Sequence, residues 1–193
     1  MRSWKSRWLE RLLLVFCALW LASAQAEVVT LRNVAFVAAD EGYELSFNAD
    51  FDLAPHLEQM LERGVTLTFR AEFEVFRPRW YWLDERVARR ILNFRLSHQE
   101  LTRQYRVASG DLQQSFPSLR QALRYLSSVR NLLIADSRSL SSGNLYEARL
   151  RYFLDTSQLP KPLQLSAFTS SEWDLKSETR SWTFVAGVEG ASK

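Results

Sequence analysis

The run Arg77-Pro78-Arg79-Trp80-Tyr81-Trp82 is the most unusual local feature of the sequence. A tryptophan pair flanked by guanidinium groups can stack on a sugar ring or clamp an anionic or aromatic ligand, at about 0.5–1 kcal/mol per exposed cation–π contact. The same residue types also suit the end of a core strand, with amphipathic rings stacked on cross-strand Arg or Tyr. As a strand, the run would place Trp80 and Trp82 on one face and Arg79 and Tyr81 on the other. Pro78 donates no ladder hydrogen bond, so an edge or a bulge is expected there, and an edge can recruit a partner strand. Arg77, Arg79, Trp80, Tyr81 and Trp82 are therefore the candidate residues for binding a ligand or a partner.

Other chemistry is thinner. The chain has two His and one Cys, which excludes a multi-Cys zinc site and a disulfide framework. His56 and His98 fall on different predicted elements and read as surface residues rather than metal ligands. There is no Gly-x-Ser-x-Gly turn for a serine nucleophile, and no Gly-rich phosphate loop. Asp84 and Glu85 are the one carboxylate pair that a glycan hydrolase could use, which would need two carboxyl groups about 5–9.5 Å apart. Adjacent residues point apart, and both read better as partners of Arg86, Arg89 and Arg90 on a solvated face. No catalytic residue, metal or cofactor is expected, and the chain does not read as an enzyme.

The composition is 47% hydrophobic and 24% charged, with six Gly and five Pro in 193 residues. That fits a single domain with its own core rather than a disordered or fibrous chain. Arg2, Lys5, Arg7 and Arg11 precede an uncharged apolar run from Leu12 to Ala22, and Ala24-Gln25-Ala26 supplies small residues for a signal peptidase. This three-part layout predicts a secretory signal peptide over residues 1–26, cleaved after Ala26. The apolar run is short of the ~20 residues of a membrane span, so an uncleaved inner-membrane anchor is the alternative, and both place the remainder in the periplasm. Cys17 follows Phe16 rather than a small residue, and lipidation is not expected.

The leader accounts for four of the 25 basic residues and one of the 22 acidic ones, leaving 21 of each. The overall charge of +3 and the pI near 9.2 thus owe much to the leader, and the inference from a basic chain to nucleic acid fails. No Lys-rich interfacial helix follows residue 26, so the membrane is a partner only through an uncleaved leader.

Period-two alternation dominates residues 27–185, read as one domain with a flexible tail at 186–193. Tyr43 to Phe51, Val65 to Val75 and Tyr146 to Leu154 alternate apolar and polar residues as half-buried strands do. Shorter strands are expected at Val28 to Val37, Arg90 to Ser97, Leu101 to Val107, Leu132 to Asp136 and Trp173 to Val185. One polar face per strand indicates antiparallel pairing. Helical spacing replaces alternation at Pro55 to Arg63, stopped by Gly64, and at Ser115 to Val129. Ser109-Gly110-Asp111 reads as a turn, Ser137 to Asn144 as a loop, and Asp155 as a turn cap ahead of an extended Leu159-Pro160-Lys161-Pro162-Leu163 connection. The expected fold is an antiparallel β-sandwich, immunoglobulin-like in general architecture, with two short helices; a closed barrel is the alternative.

Several segments in order carry a family resemblance: a Leu-rich helix ending in Gly64-Val65, Arg77 to Trp82, Tyr105-Arg106-Val107, Ser118 to Leu123, Tyr146 to Arg151, Leu154-Asp155 with Leu159 to Leu163, and Trp173 with Trp182. Together they resemble the exported bacterial family termed domain of unknown function DUF4390. The family has no established activity and supplies no catalytic residue. Its members are often encoded beside a membrane sensor kinase of the nitrogen-regulation type, which implies an envelope role accessory to signalling. The expected function is a non-catalytic periplasmic domain that binds an envelope protein. The alternative is a module for a small glycan or amphipathic ligand using Trp80 and Trp82.

Overall fold

The computed structural model describes residues 28–81, 83–136 and 139–187. The predicted leader, Trp82, the Ser137-Arg138 pair and the tail from 188 onward lie outside the described residues. Ten strands form: β1 (Val28–Ala39), β2 (Gly42–Asp50), β3 (Leu67–Arg77), β4 (Glu85–Gln99), β5 (Gln104–Ser109), β6 (Leu112–Phe116), β7 (Ser128–Asp136), β8 (Leu145–Leu154), β9 (Lys176–Ser177) and β10 (Arg180–Val185). Alternation is realised as burial: Tyr43, Leu45, Phe47 and Ala49 of β2 are buried, while the polar residues between them are only half-buried.

The strands follow one path, β6-β5-β4-β3-β8-β9-β1-β2-β7, with β10 paired to β8 beside it. Pairing is antiparallel except where β9 meets β1, with Val28 opposite Lys176 and Val29 opposite Ser177. The path bends back on itself. Phe36 of β1 lies 5.1 Å from Phe73 of β3 and 5.0 Å from Phe184 of β10, between ring centroids. Phe47 of β2 approaches Tyr152 of β8 at 6.4 Å. Where a sandwich has two sheets, this chain has one curled sheet, an open half-barrel whose inner face is the core. Nor is it the closed barrel. Among the described residues β6 and β7 do not pair with each other, and the lip at β7 touches the opposite wall where Arg90 Nε donates to the Leu133 carbonyl at 3.1 Å.

Among the described residues three α-helices are present rather than two. The first, α1 (Pro55–Glu62), buries Leu57 and Leu61 completely and stops before Gly64, whose φ of 84° suits a residue without a Cβ. The second, α2 (Leu119–Leu126), is shorter than its spacing suggests, because Ser115 and Phe116 belong to β6 and Ser128 and Val129 to β7. The third, α3 (Lys161–Thr169), replaces the extended connection expected around Pro160 and Pro162. Pro160 is its N-cap and Pro162 lies in its first turn, where the missing N–H removes no helical bond and the fixed φ is already helical.

Strand β6 escapes period-two reading because Leu112 to Ser115 are all exposed at the sheet edge. It is held by β5 across the expected Ser109-Gly110-Asp111 turn, where Gly110 adopts a φ of 57°. Trp173 is in a 3-10 turn, and the single last strand anticipated from it is divided into β9 and β10. Ala186, read as the start of the tail, is fully buried and its N–H donates to Asn144 at 3.0 Å. Asp155 is the cap expected of it, accepting the Ser157 N–H at 3.2 Å.

Candidate functional site

Strands β3 and β4 build a long hairpin in register from Leu67 opposite Leu96 to Arg77 opposite Glu85. Val75 faces Ala88 and Phe76 faces Arg86, so Val87 is the extra residue of a bulge. Bulges bend and twist a hairpin locally, and this one is just below its tip. The ladder ends at Arg77, and Pro78 opens the loop. Arg77 to Tyr81 is thus not an edge strand: β3 is interior, flanked by β4 and β8, and Trp80 and Tyr81 are on the hairpin tip. The alternation of faces anticipated for this run does not apply to Arg79, Trp80 and Tyr81, which are outside the strand, and its Trp82 part lies outside the described residues.

The tip is apolar and open. Trp80 is 94% exposed, Leu83 83% and Tyr81 66%, and the Trp80 and Tyr81 rings meet edge to face with centroids 4.9 Å apart. Trp80 therefore does not end a core strand.

Beneath the rings the loop is braced by charge. Arg77 and Arg79 both donate to Glu85, with Arg77 Nε at 3.0 Å. Asp84 accepts the Arg79 N–H at 3.4 Å and lies 3.5 Å from the Arg149 guanidinium. Arg149 in turn donates to Glu147 at 2.7 Å and lies 4.4 Å above the Phe76 ring. The bonds from Arg77 and Arg79 hold the Glu85 carboxyl below the usual carboxylate range, the opposite of what a general acid needs. The expected partners of Asp84 and Glu85 are also corrected. Cross-strand and neighbouring-strand arginines take them, while Arg86 pairs with Glu74, Arg89 with Glu72 and Arg90 with the Leu133 carbonyl.

The same ladder continues down the outer face of the sheet. Glu72, only 3% exposed, accepts Arg89 Nε at 2.9 Å and Arg151 Nε at 2.8 Å. Burial alone would raise its carboxyl, but the two guanidinium groups outweigh that and lower it. Arg151 also lies 5.0 Å above the Phe153 ring. This clamp was open to detection in the sequence: Glu72 and Glu74 alternate on one face of β3, as Arg149 and Arg151 do on β8.

The histidines do not converge on shared partners. His56 meets the edge of Trp173 at 5.8 Å, and His98 packs on Tyr105 at 4.9 Å. Among the described residues no group of three or more His, Cys, Asp or Glu is placed to hold a metal ion, and no helix is long and apolar enough to cross a membrane.

Neither the curated proteins nor the solved structures contain a match to the chain. The model of one family, described as a domain of unknown function (DUF4390), matches residues 26–183, a span that holds every strand from β1 to β9, the hairpin tip and most of β10. The chain belongs to the DUF4390 family.

Proposed function

We propose that this chain is a non-catalytic interaction domain of the periplasm, and that the β3–β4 tip is where it docks an envelope partner protein. One observation supports the reading above others: Trp80, Tyr81 and Leu83 stand in solvent on a loop braced by Arg77, Arg79 and Glu85. Exposed aromatics at a fixed position are the raw material of interface hot spots, because Trp and Tyr bury large areas at low entropic cost. The curled sheet serves this reading as a sandwich would, with facing layers that fix the root of the hairpin. A role in envelope signalling fits the same picture and rests on the family resemblance.

A photo-crosslinking residue at position 80 in living cells tests it. A discrete adduct that disappears with Tyr81→Ala and Leu83→Ala is expected; no adduct, or one indifferent to both changes, removes the tip from consideration. Because these side chains bury little in the free protein, Trp80→Ala should shift stability by no more than about 0.5 kcal/mol in urea unfolding. A larger loss would mean the ring already packs on its own chain.

A second reading keeps the same residues and exchanges the partner for a small glycan or an amphipathic molecule. The open face of Trp80 beside Arg79 favours it, since sugars stack on such rings. Saturable quenching of tryptophan fluorescence by soluble cell-wall fragments, lost in Trp80→Ala, is its signature.

A further inference from the structure

Helix α1 packs on β4, while α2 packs on β5, β6 and β7. Between them, where β2 ends and β7 begins, is an open cleft of about 760 Å³, within the ~300–1,000 Å³ range of small-ligand sites. It is at the far end of the β3–β4 hairpin from the tip, because Tyr105, which lines it, pairs with His98 while the tip follows Arg77 opposite Glu85. Its apolar lining is Phe51, Leu53, Tyr105, Leu119 and Leu123.

The charges in this cleft are sorted by helix. Glu58 and Glu62 come from α1, and Arg120 and Arg124 from α2. Each pair is four residues apart, so each helix carries like charges on neighbouring turns, an arrangement that costs helix stability. Glu58 in the first turn of α1 and Arg124 in the last turn of α2 are each favoured by the helix dipole. Among the described residues none of the four has an opposite charge within 4.0 Å. Of the other charges that line the cleft, Arg32 and Asp50 pair with each other at 3.3 Å, and Asp52 adds a further carboxylate. The Tyr105 hydroxyl is pushed up by burial and by the charges of Glu62 and Glu58, so the acidic wall acts on the cleft interior.

We propose that this cleft binds a short peptide segment with side chains of both signs, a lysine ammonium against Glu58 and Glu62, an acidic side chain's carboxylate against Arg120 and Arg124, and the apolar stretch between them on Leu119, Leu123 and Tyr105. The planar guanidinium fork suits a carboxylate. A ligand of both signs relieves both like-charge pairs at once, which a purely anionic or cationic ligand cannot do.

The test titrates the folded full-length chain with the end-blocked tetrapeptide Glu-Ala-Ala-Lys and, in parallel, with its Gln-Ala-Ala-Met analogue and with phosphoethanolamine, followed by NMR chemical shifts. Saturable binding of the charged peptide is expected. It should weaken by about twofold to thirtyfold in Arg120→Gln/Arg124→Gln and in Glu58→Gln/Glu62→Gln, the range for losing two solvent-exposed charge pairs, and the neutral analogue should not bind. Far-UV circular dichroism of both double variants should match that of the parent, so that any lost binding is read on folded protein. Absence of saturation at millimolar peptide, equal binding of the neutral analogue, or binding of phosphoethanolamine alone would each overturn the proposal.

Discussion

Glu72 shows how this protein handles a buried charge. Its carboxylate has left water but has two guanidinium groups in place of hydration, each with its own exposed end. In the unfolded chain it titrates near 4.5 and in the folded chain below that, so between those values the unfolded state binds more protons. Stability is therefore full above about pH 4.5 and is lost as pH falls through the folded value. The lowered carboxyls of Glu85 and Glu147 act in the same direction, weakly, because both are more solvated. Glu72→Gln should cost about 1–3 kcal/mol at neutral pH and flatten the acid limb of a urea-midpoint profile; an unchanged limb would assign the slope to other groups. The capping role of Asp155 was legible in the sequence because a capping bond is local. The pairing of Asp84 and Glu85 was not, since chain neighbours Arg86, Arg89 and Arg90 looked closest while the hairpin brings Arg77 and Arg79 to Glu85 and β8 brings Arg149 to Asp84.

At the scale of elements, strands with one wet face were readable from alternation, and β2, β3 and β8 are where their patterns put them. Strand β6, exposed on both faces, carries no such pattern. Helix α3 was hidden for a different reason: two prolines suggest extended chain, yet at a cap and in a first turn they favour helix instead. If Pro162 pre-sets that turn, Pro162→Ala should destabilise the protein by about 0.4–1 kcal/mol through the freer unfolded chain, with helical circular dichroism retained in the folded state. A gain in stability would show that the ring strains the turn. The aromatic run was identified from sequence as the candidate site, but Trp80 and Tyr81 are not on a strand as expected, because the ladder passes the bulge at Val87 and ends at Arg77, before Pro78.

For the whole molecule, curvature was not legible at all. Alternation reports which side of each strand is wet, not whether the wet sides belong to one bent sheet or two flat ones. The connection that makes it one sheet is β9, two residues long, bridging β8 to β1 through Lys176. Ser177 supports the seam by accepting the buried Tyr152 N–H at 2.9 Å. Ser177→Ala leaves that donor without its partner, which should cost about 1–3 kcal/mol and speed hydrogen exchange at Tyr152 and Val29 ahead of the β3–β4 hairpin. Uniform loss of protection would mean the seam is not a separate unit.

That seam also sets an order of events during synthesis. Its two halves, at Val28 and Lys176, are far apart along the chain, and such distant pairings form late because loop closure must come first. A nascent chain can zip β3 to β4 as soon as both are made, yet β1 keeps one flank bare until β9 has been delivered. Any product truncated before Lys176 would retain that naked backbone edge permanently, a template for sticking to its neighbours.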